Sequence, residues 1–168
     1  MLYGYKLKKI TIIMKKLLVL SLFVALVAIG QKSYAHCEIP CGIYGDSVRV
    51  ELIAEHIETI AKSMNQINEL SEAGDKNYNQ LVRWVMNKEE HAKKIQDIVS
   101  QYFLHQRIKP VQPTEVEAYA KYTNQLALLH QLLVLSMKAK QTTDLTVIDK
   151  LNTTLEKFSD SYFHKHTH

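Results

Sequence analysis

Residues 47–73 read SVRVELIAEHIETIAKSMNQINELSEA, and apolar side chains recur through this stretch at intervals of three and four residues. That spacing predicts an α-helix with one apolar stripe. The residues of the stripe are Ile53, Ile57, Ile60, Met64 and Ile67. Ser47 or Asp46 is a suitable N-cap, and Gly74-Asp75 marks the end of the helix. Such a helix must pack against other elements to bury its stripe.

Three further stretches have the same periodicity, and none alternates apolar and polar residues as a strand does. The second stripe comprises Leu81, Val85, Lys88, Ala92, Ile95, Val99 and Tyr102 and stops before Lys109-Pro110. The third comprises Val116, Ala120, Thr123, Ala127, His130, Leu133 and Met137, after a capping-box spacing at Thr114 and Glu117. The fourth comprises Leu145, Ile148, Leu151, Leu155, Phe158 and Tyr162. Short turns between four helices predict an all-α fold, an antiparallel four-helix bundle over residues 47–168.

The composition agrees with one helical domain. The 168 residues are 46% hydrophobic and include five Gly and three Pro, which is too apolar for a disordered chain and too poor in turn residues for a collagen-like or turn-dense β protein. The net charge is +4, but six of the 21 basic residues precede residue 36 and all 17 acidic residues follow it, so the remaining chain carries −2. We therefore expect no nucleic-acid partner.

The basic excess belongs to residues 1–35, which have the three parts of a secretory signal peptide. Met14-Lys15-Lys16 precedes an apolar stretch, 17–30, and small residues occupy the third and first positions before a cut after Ala35. Met14 is the more natural start of translation. The apolar stretch is shorter than the roughly 20 residues that span a membrane, so we expect no stable membrane association after cleavage. The mature protein would be periplasmic or secreted and begin at His36.

Both cysteines lie in the first nine residues of that mature chain, which read HCEIPCGIY. Cleavage would place a free α-amine, the His36 imidazole, the Cys37 backbone nitrogen and two thiols within a few bonds of one another. An amine and a deprotonated amide in a five-membered chelate favour square-planar Ni(II) or Cu(II), and thiolates stabilise the oxidised metal. Residues 36–46 are therefore a candidate metal-binding segment, which we call the hook.

The same two cysteines also suit a disulfide, because exported proteins with an even cysteine count normally pair them. A bridge between Cys37 and Cys41 would close a very short loop at a chain terminus and would stabilise the fold little. Pro40 and Gly42 would shape a tight turn with both thiols on one side. From these residues alone, the disulfide and the metal hook both remain open.

The pattern His-Cys-x-x-Pro-Cys-Gly-x-Tyr over residues 36–44 closely resembles the N-terminal hook of the nickel superoxide dismutase family. That family also has a four-helix bundle and a similar mature length. The resemblance implies an enzyme that converts superoxide to oxygen and hydrogen peroxide by Ni(II)/Ni(III) cycling, with one nickel ion per chain. It further implies a homohexamer of bundles.

When the family motif is matched to this sequence position by position, the resemblance implies that three residues bind nickel. His36 would supply its α-amine and, in the oxidised state, its imidazole as an axial ligand. Cys37 would supply its backbone nitrogen and its thiolate, and Cys41 its thiolate. The metal ligands implied are therefore His36, Cys37 and Cys41.

The resemblance also implies four catalytic residues outside the ligand set. Tyr44 would cover the open face of the metal, and Tyr102-Phe103 resembles a Tyr-Phe pair near the site. Glu51 resembles a glutamate that orients the axial histidine from a neighbouring subunit. Lys88 begins a KEEH segment similar to the Lys-Glu-x-Arg of the family. Lys88 and Arg49 are also candidates for the cations that attract superoxide.

This sequence departs from the family pattern around those outer residues. Gly45-Asp46 follows Tyr44 where other members have Asp-Pro and one residue more, so the Glu51 match needs a gap. His91 stands in place of the arginine that supports the axial histidine, and Leu104 in place of a lysine.

Other interpretations remain for the outer residues and for the whole chain. Lys88 lies on an apolar stripe and could be a lysine whose chain is buried while its charged end reaches the surface. Tyr102 could be an ordinary aromatic residue of the core. The chain could also be an exported nickel or copper carrier without turnover, or a structural bundle whose terminus is pinned by a disulfide. Redox cycling separates the enzyme from the carrier, and metal content separates both from the structural protein.

Overall fold

A computed structural model describes residues 14–21, 43–73 and 77–163. The chain divides into two compact units, Met1–Cys37 and Glu38–His168. In the first unit, residues 14–21 are helical and exposed. The rest of the predicted signal peptide and the cleavage position lie outside the described residues. Within the described ranges, no helix combines the length and the hydrophobicity that crossing a membrane requires.

The described part of the second unit is entirely helical apart from its turns. Its elements are α1 (Asp46–Glu72), α2 (Tyr78–Asp97), a π-helical segment that continues α2 (Ile98–Arg107), α3 (Val116–Gln141) and α4 (Thr146–Phe163). Helix α1 packs on α2 and α4, and α3 packs on α2 and α4, so the four helices close around one core. Because the connections are short, sequential neighbours run antiparallel. The predicted all-α fold and the antiparallel four-helix bundle are confirmed.

The stripes predicted for α1 and α4 form much of the core. All five stripe residues of α1 are buried. In α4, Ile148, Leu151, Leu155 and Phe158 are buried, whereas Leu145 precedes the helix and is exposed. Phe158 meets Phe103 edge to face, with ring centroids 4.9 Å apart. This aromatic contact joins α4 to the π-helical segment.

The stripe predicted for α3 is wrong. Val116 is 78% exposed and Met137 is 46% exposed. The buried residues of α3 are instead Gln125, Leu128, Leu129, Leu132, Ser136 and Ala139. Leucines occur on several faces of this helix, so more than one stripe fits a period of 3.6 residues and periodicity cannot select between them. The helix begins after Glu115 without a side-chain capping bond, so the predicted Thr114 cap is wrong as well.

Two local features near the hook also differ from the prediction. The N-cap of α1 is Gly45, and Asp46 is the first helical residue, with its carboxylate engaged elsewhere. The second helix does not stay α-helical to its end, because ten residues after Asp97 form a π-helix. Its end is closed by a bond from the Ile108 amide to the Phe103 carbonyl oxygen, 2.9 Å long and five residues back.

Candidate functional site

Three side chains surround the carboxylate of Asp46, the last residue of the predicted hook. Tyr102 donates its hydroxyl to Oδ1, and Tyr162 donates its hydroxyl to Oδ2 at 2.8 Å. Arg107 forms a bidentate pair, from Nε to Oδ1 at 2.9 Å and from its terminal nitrogen to Oδ2 at 2.7 Å. We call these four residues the Asp46 cluster. The cluster ties the start of α1 to the π-helical segment and to the end of α4.

The cluster supports a pair of tyrosine rings. Tyr44, the last residue of the hook motif, meets Tyr102 edge to face, with ring centroids 6.2 Å apart. The Arg107 guanidinium carbon lies 4.2 Å from the centre of the Tyr44 ring, and that of Arg49 lies 5.1 Å from the centre of the Tyr102 ring. Tyr44 is 48% exposed whereas Tyr102 is 2% exposed. The structure therefore brings together two predicted site residues, one open to solvent and one buried, with a cation on each ring.

Electrostatics fix the protonation states of the cluster at neutral pH. Burial acts to raise the pKa of Asp46, but the hydrogen bonds from Arg107, Tyr102 and Tyr162 outweigh it and hold that pKa below its ordinary value. Burial and the neighbouring carboxylate raise the pKa of Tyr102 to about 12 and also raise the pKa of Tyr162. The carboxylate is thus ionised, and both phenols keep the protons that they donate to it.

Lys88 lies in a different part of the bundle. Its side chain is buried, and its ammonium group caps the C-terminal end of α3. Its Nζ donates to the carbonyl oxygens of Ala139 and Lys140, both at 2.6 Å, and of Thr142 at 3.2 Å. The neighbouring Asn87 bonds to Ser63 of α1 at 3.0 Å, which lies roughly 25 Å along that helix from Asp46. Within one chain, Lys88 is therefore not brought together with Tyr44 and Tyr102.

Glu51 lies on the exposed surface of α1. Its carboxylate has no hydrogen-bond or ion-pair partner among the described residues of this chain. The position leaves the side chain accessible to a second molecule. The predicted role of Glu51 across a subunit contact stays a prediction.

His91, which replaces the family arginine, pairs with His56 of α1. Their Nδ1 atoms are 3.2 Å apart and their rings are nearly perpendicular. One ring nitrogen must donate and the other accept, so at least one imidazole is neutral. Burial lowers the pKa of both, assisted by the Lys94 charge. The pair is a half-buried link between α1 and α2.

The predicted metal ligands His36, Cys37 and Cys41 lie outside the described residues. Within the residues that the structure does describe, no group of three or more His, Cys, Asp or Glu side chains could hold a metal ion. The donor set of the hook fits nickel by its chemistry, since two thiolates with nitrogen donors suit a square-planar d⁸ ion. The described chain resumes at Ile43, so the Asp46 cluster is the first side-chain cluster that the structure describes after the predicted ligands along the chain.

Sequence reasoning missed three members of this site. Asp46 was expected only as a helix cap, and nothing singled out Arg107 or Tyr162. Arg107 lies 61 residues from its carboxylate partner and Tyr162 lies 116 residues from it. The position of Asp46 two residues after Tyr44 is the only local signal that could have drawn attention to it.

Comparison with known proteins identifies one family. The sequence model described as nickel-containing superoxide dismutase matches residues 31–166, most of the chain. No curated protein and no solved structure matches.

Proposed function

The chain belongs to the nickel-containing superoxide dismutases, and on that premise we propose that nickel is held by His36, Cys37 and Cys41 of a proteolytically exposed hook. Bound nickel, one ion per chain, would supply a Ni(II)/Ni(III) couple that exchanges one electron with each superoxide. Two superoxide anions and two protons would yield one oxygen and one hydrogen peroxide. The observation that carries the proposal is the family match together with the Tyr44–Tyr102 ring pair beside the hook.

Chain length keeps the hook close to this ring pair. Cys41 precedes Tyr44 by three residues, a length of chain that spans roughly 11 Å at most. A metal bound through the Cys41 thiolate would therefore lie near Tyr44 and the Asp46 cluster. The exposed Tyr44 ring would cover that position and limit the access of water and larger molecules.

Charge near the ring pair would favour an anionic substrate. Asp46 neutralises Arg107 in their bidentate pair, so the net positive charge at the rings comes from Arg49. A cation at the mouth of a site raises the association rate of an anion. Lys88 does not share this role in the proposal, because its ammonium group is buried against three carbonyl oxygens.

Export and assembly form the remainder of the proposal. The α-amine ligand exists only after cleavage before His36, so the signal peptide 1–35 would be removed, in the periplasm or on secretion. The accessible carboxylate of Glu51 would meet His36 of a neighbouring subunit, as expected in a homohexamer.

Mass spectrometry of the exported protein, nickel analysis and superoxide decay together test the proposal. We expect a mature N-terminus at His36, about one nickel per chain, and dismutation that His36→Gln weakens and that Cys37→Ser or Cys41→Ser abolishes. His130→Gln removes an exposed histidine of α3 and serves as the matched control, with an unchanged rate. Nickel binding without turnover would instead identify a carrier, and a Cys37–Cys41 disulfide without metal a structural protein.

A further inference from the structure

We infer that Asp46 is a positioning residue which, through Arg107 and Tyr102, fixes the Tyr44–Tyr102 ring pair at the C-terminal end of the hook. The inference rests on the proposed function, because the ring pair has a role in turnover only if the hook carries the redox metal. It adds Asp46 and Arg107 to the residues that shape the site.

The hydrogen bonds of Asp46 show that its carboxylate is committed to this cluster. A carboxylate has two oxygens with about four lone-pair sites. Oδ1 accepts from Tyr102 and Arg107, and Oδ2 accepts from Arg107 and Tyr162. All four sites are filled by side chains from other elements. A first-turn carboxylate that only stabilised its own helix would have no need of these partners.

The π-helical segment explains how two of these partners reach one carboxylate. Tyr102 and Arg107 are five residues apart. In a π-helix each hydrogen bond spans five residues, so these two side chains lie on the same side. In an α-helix, with 3.6 residues per turn, five residues would turn them apart by roughly 140°. The π-helix is rare, and the short segments that occur are frequently found at functional sites.

Arg107 transmits the position of Asp46 to Tyr44. Two hydrogen bonds hold the guanidinium plane against the carboxylate, and the same guanidinium lies 4.2 Å from the Tyr44 ring centre. The ring–ring contact of Tyr44 is with Tyr102, and its cation–π contact is with this guanidinium. Both contacts depend on groups that bond to Asp46. Loss of the carboxylate should therefore release Tyr44.

The test is Asp46→Asn, which keeps the size of the side chain and removes its charge. Asp149→Asn is the matched control, because Asp149 is also the acidic residue in the first turn of its helix but is exposed. In metal-free protein, the alkaline absorbance titration should show one tyrosine with a pKa of about 12 that disappears in Tyr102→Phe. In Asp46→Asn that pKa should fall, because the carboxylate no longer adds to the effect of burial, and in the control it should not move.

The second readout is dismutation by the nickel-loaded protein. Asp46→Asn should lower the rate per bound nickel by about 10-fold or more, as for other residues that support a metal site from behind its ligands. Its activity should also decline at lower pH than in the wild type, because a Tyr102 phenolate beside the site would repel superoxide. If the tyrosine titration shifts while the rate and its pH profile stay unchanged, Asp46 is only a structural tie and the inference is wrong.

Two further outcomes separate the inference from the proposed function. Wild-type protein that binds nickel without dismutation would overturn the proposed function, while the titration would still report the contact between Asp46 and Tyr102. If Asp46→Asn does not fold, Arg107→Lys takes its place. Lysine keeps the charge but lacks the planar fork that binds a carboxylate at two points and stacks on a ring. A wild-type rate per nickel in Arg107→Lys would contradict the inference.

Discussion

Arg107 and Lys88 are both cations held by oxygen atoms in a mostly buried setting, yet their partners differ. Arg107 meets a carboxylate and lies on an exposed aromatic ring beside the hook. Lys88 donates to three carbonyl oxygens at the end of α3 at 2.6, 2.6 and 3.2 Å, and its ion pair with the half-exposed Glu89 is longer, at 3.6 Å. Carbonyls at a helix C-terminus attract a cation through their own unpaired acceptors and the helix dipole. The type of partner therefore distinguishes Lys88, which has a structural role, from Arg107, which has a role at the site.

The chemistry of each side chain matches its partner. The ammonium group of lysine is a point charge with three donors, which suits three separate carbonyls, whereas the guanidinium is a rigid fork that suits a carboxylate and an aromatic face. The sequence drew attention to Lys88 because it begins the KEEH segment. It gave no reason to single out Arg107.

The largest expected effect concerns Lys88. Lys88→Met keeps the alkyl chain but leaves one buried and two partly buried carbonyls without this donor, so we expect the free energy of unfolding to fall by about 3 kcal/mol. Urea unfolding of the metal-free protein measures this. Lys93→Met, which removes a cation from an exposed ion pair with Asp97, should change it by less than about 0.5 kcal/mol. A loss of rate per bound nickel with full stability would instead place Lys88 at the site of the assembled protein.

A second prediction uses the ionisation of Asp46. Because its pKa in the folded protein lies below the ordinary value of 3.8, the unfolded chain takes up a proton first as pH falls. The stabilisation is therefore complete above that ordinary value and is lost as pH falls below it. Asp46→Asn should cost about 2 kcal/mol at pH 7, and its difference from the wild type should shrink toward pH 3. Urea midpoints at both pH values measure this, and a constant difference would contradict the assigned charge state.

A third prediction concerns Arg49 and its effect on the dismutation rate, as distinct from the stability of the fold. Arg49→Gln should lower the dismutation rate severalfold at low ionic strength, and the difference should fade as salt screens the charge. Arg83→Gln removes an exposed cation from α2 and should leave the rate unchanged. Stopped-flow or pulse-radiolysis decay of superoxide at two salt concentrations provides the measurement. Equal losses in both variants would mean that overall charge, not the position of Arg49, controls the rate.

The smallest expected effect comes from the His56–His91 pair. Both pKa values are lowered in the folded protein, so the stabilisation is complete above the ordinary value of 6.5 and declines as pH falls below it. The carboxylates of Glu55 and Glu90 act in the opposite direction and moderate the decline. The double variant His56→Gln/His91→Gln should lose less stability than the wild type between pH 7.5 and 5.5. An identical decline in thermal unfolding would show that other histidines account for it.

The sequence predicted the helices of the bundle better than it predicted the residues of the candidate site. The stripes of α1 and α4 were correct because each helix has one apolar face, whereas the leucines of α3 fit more than one. Tyr44 and Tyr102 were each expected near the metal only through the family resemblance, and their contact with each other was not predicted. Arg107 and Tyr162 could not be assigned to the site, because their contact with Asp46 depends on helix packing and on a π-helical turn that hydrophobic periodicity does not reveal.

Nickel titration of the metal-free mature protein tests the central claim most directly. Aliquots of Ni(II) are added to protein that begins at His36, and the decay of superoxide is measured after each addition. We expect a rate that rises in proportion to bound nickel and reaches a plateau at one ion per chain, with no rise in Cys41→Ser. Nickel bound at one ion per chain without any increase in superoxide decay would contradict it.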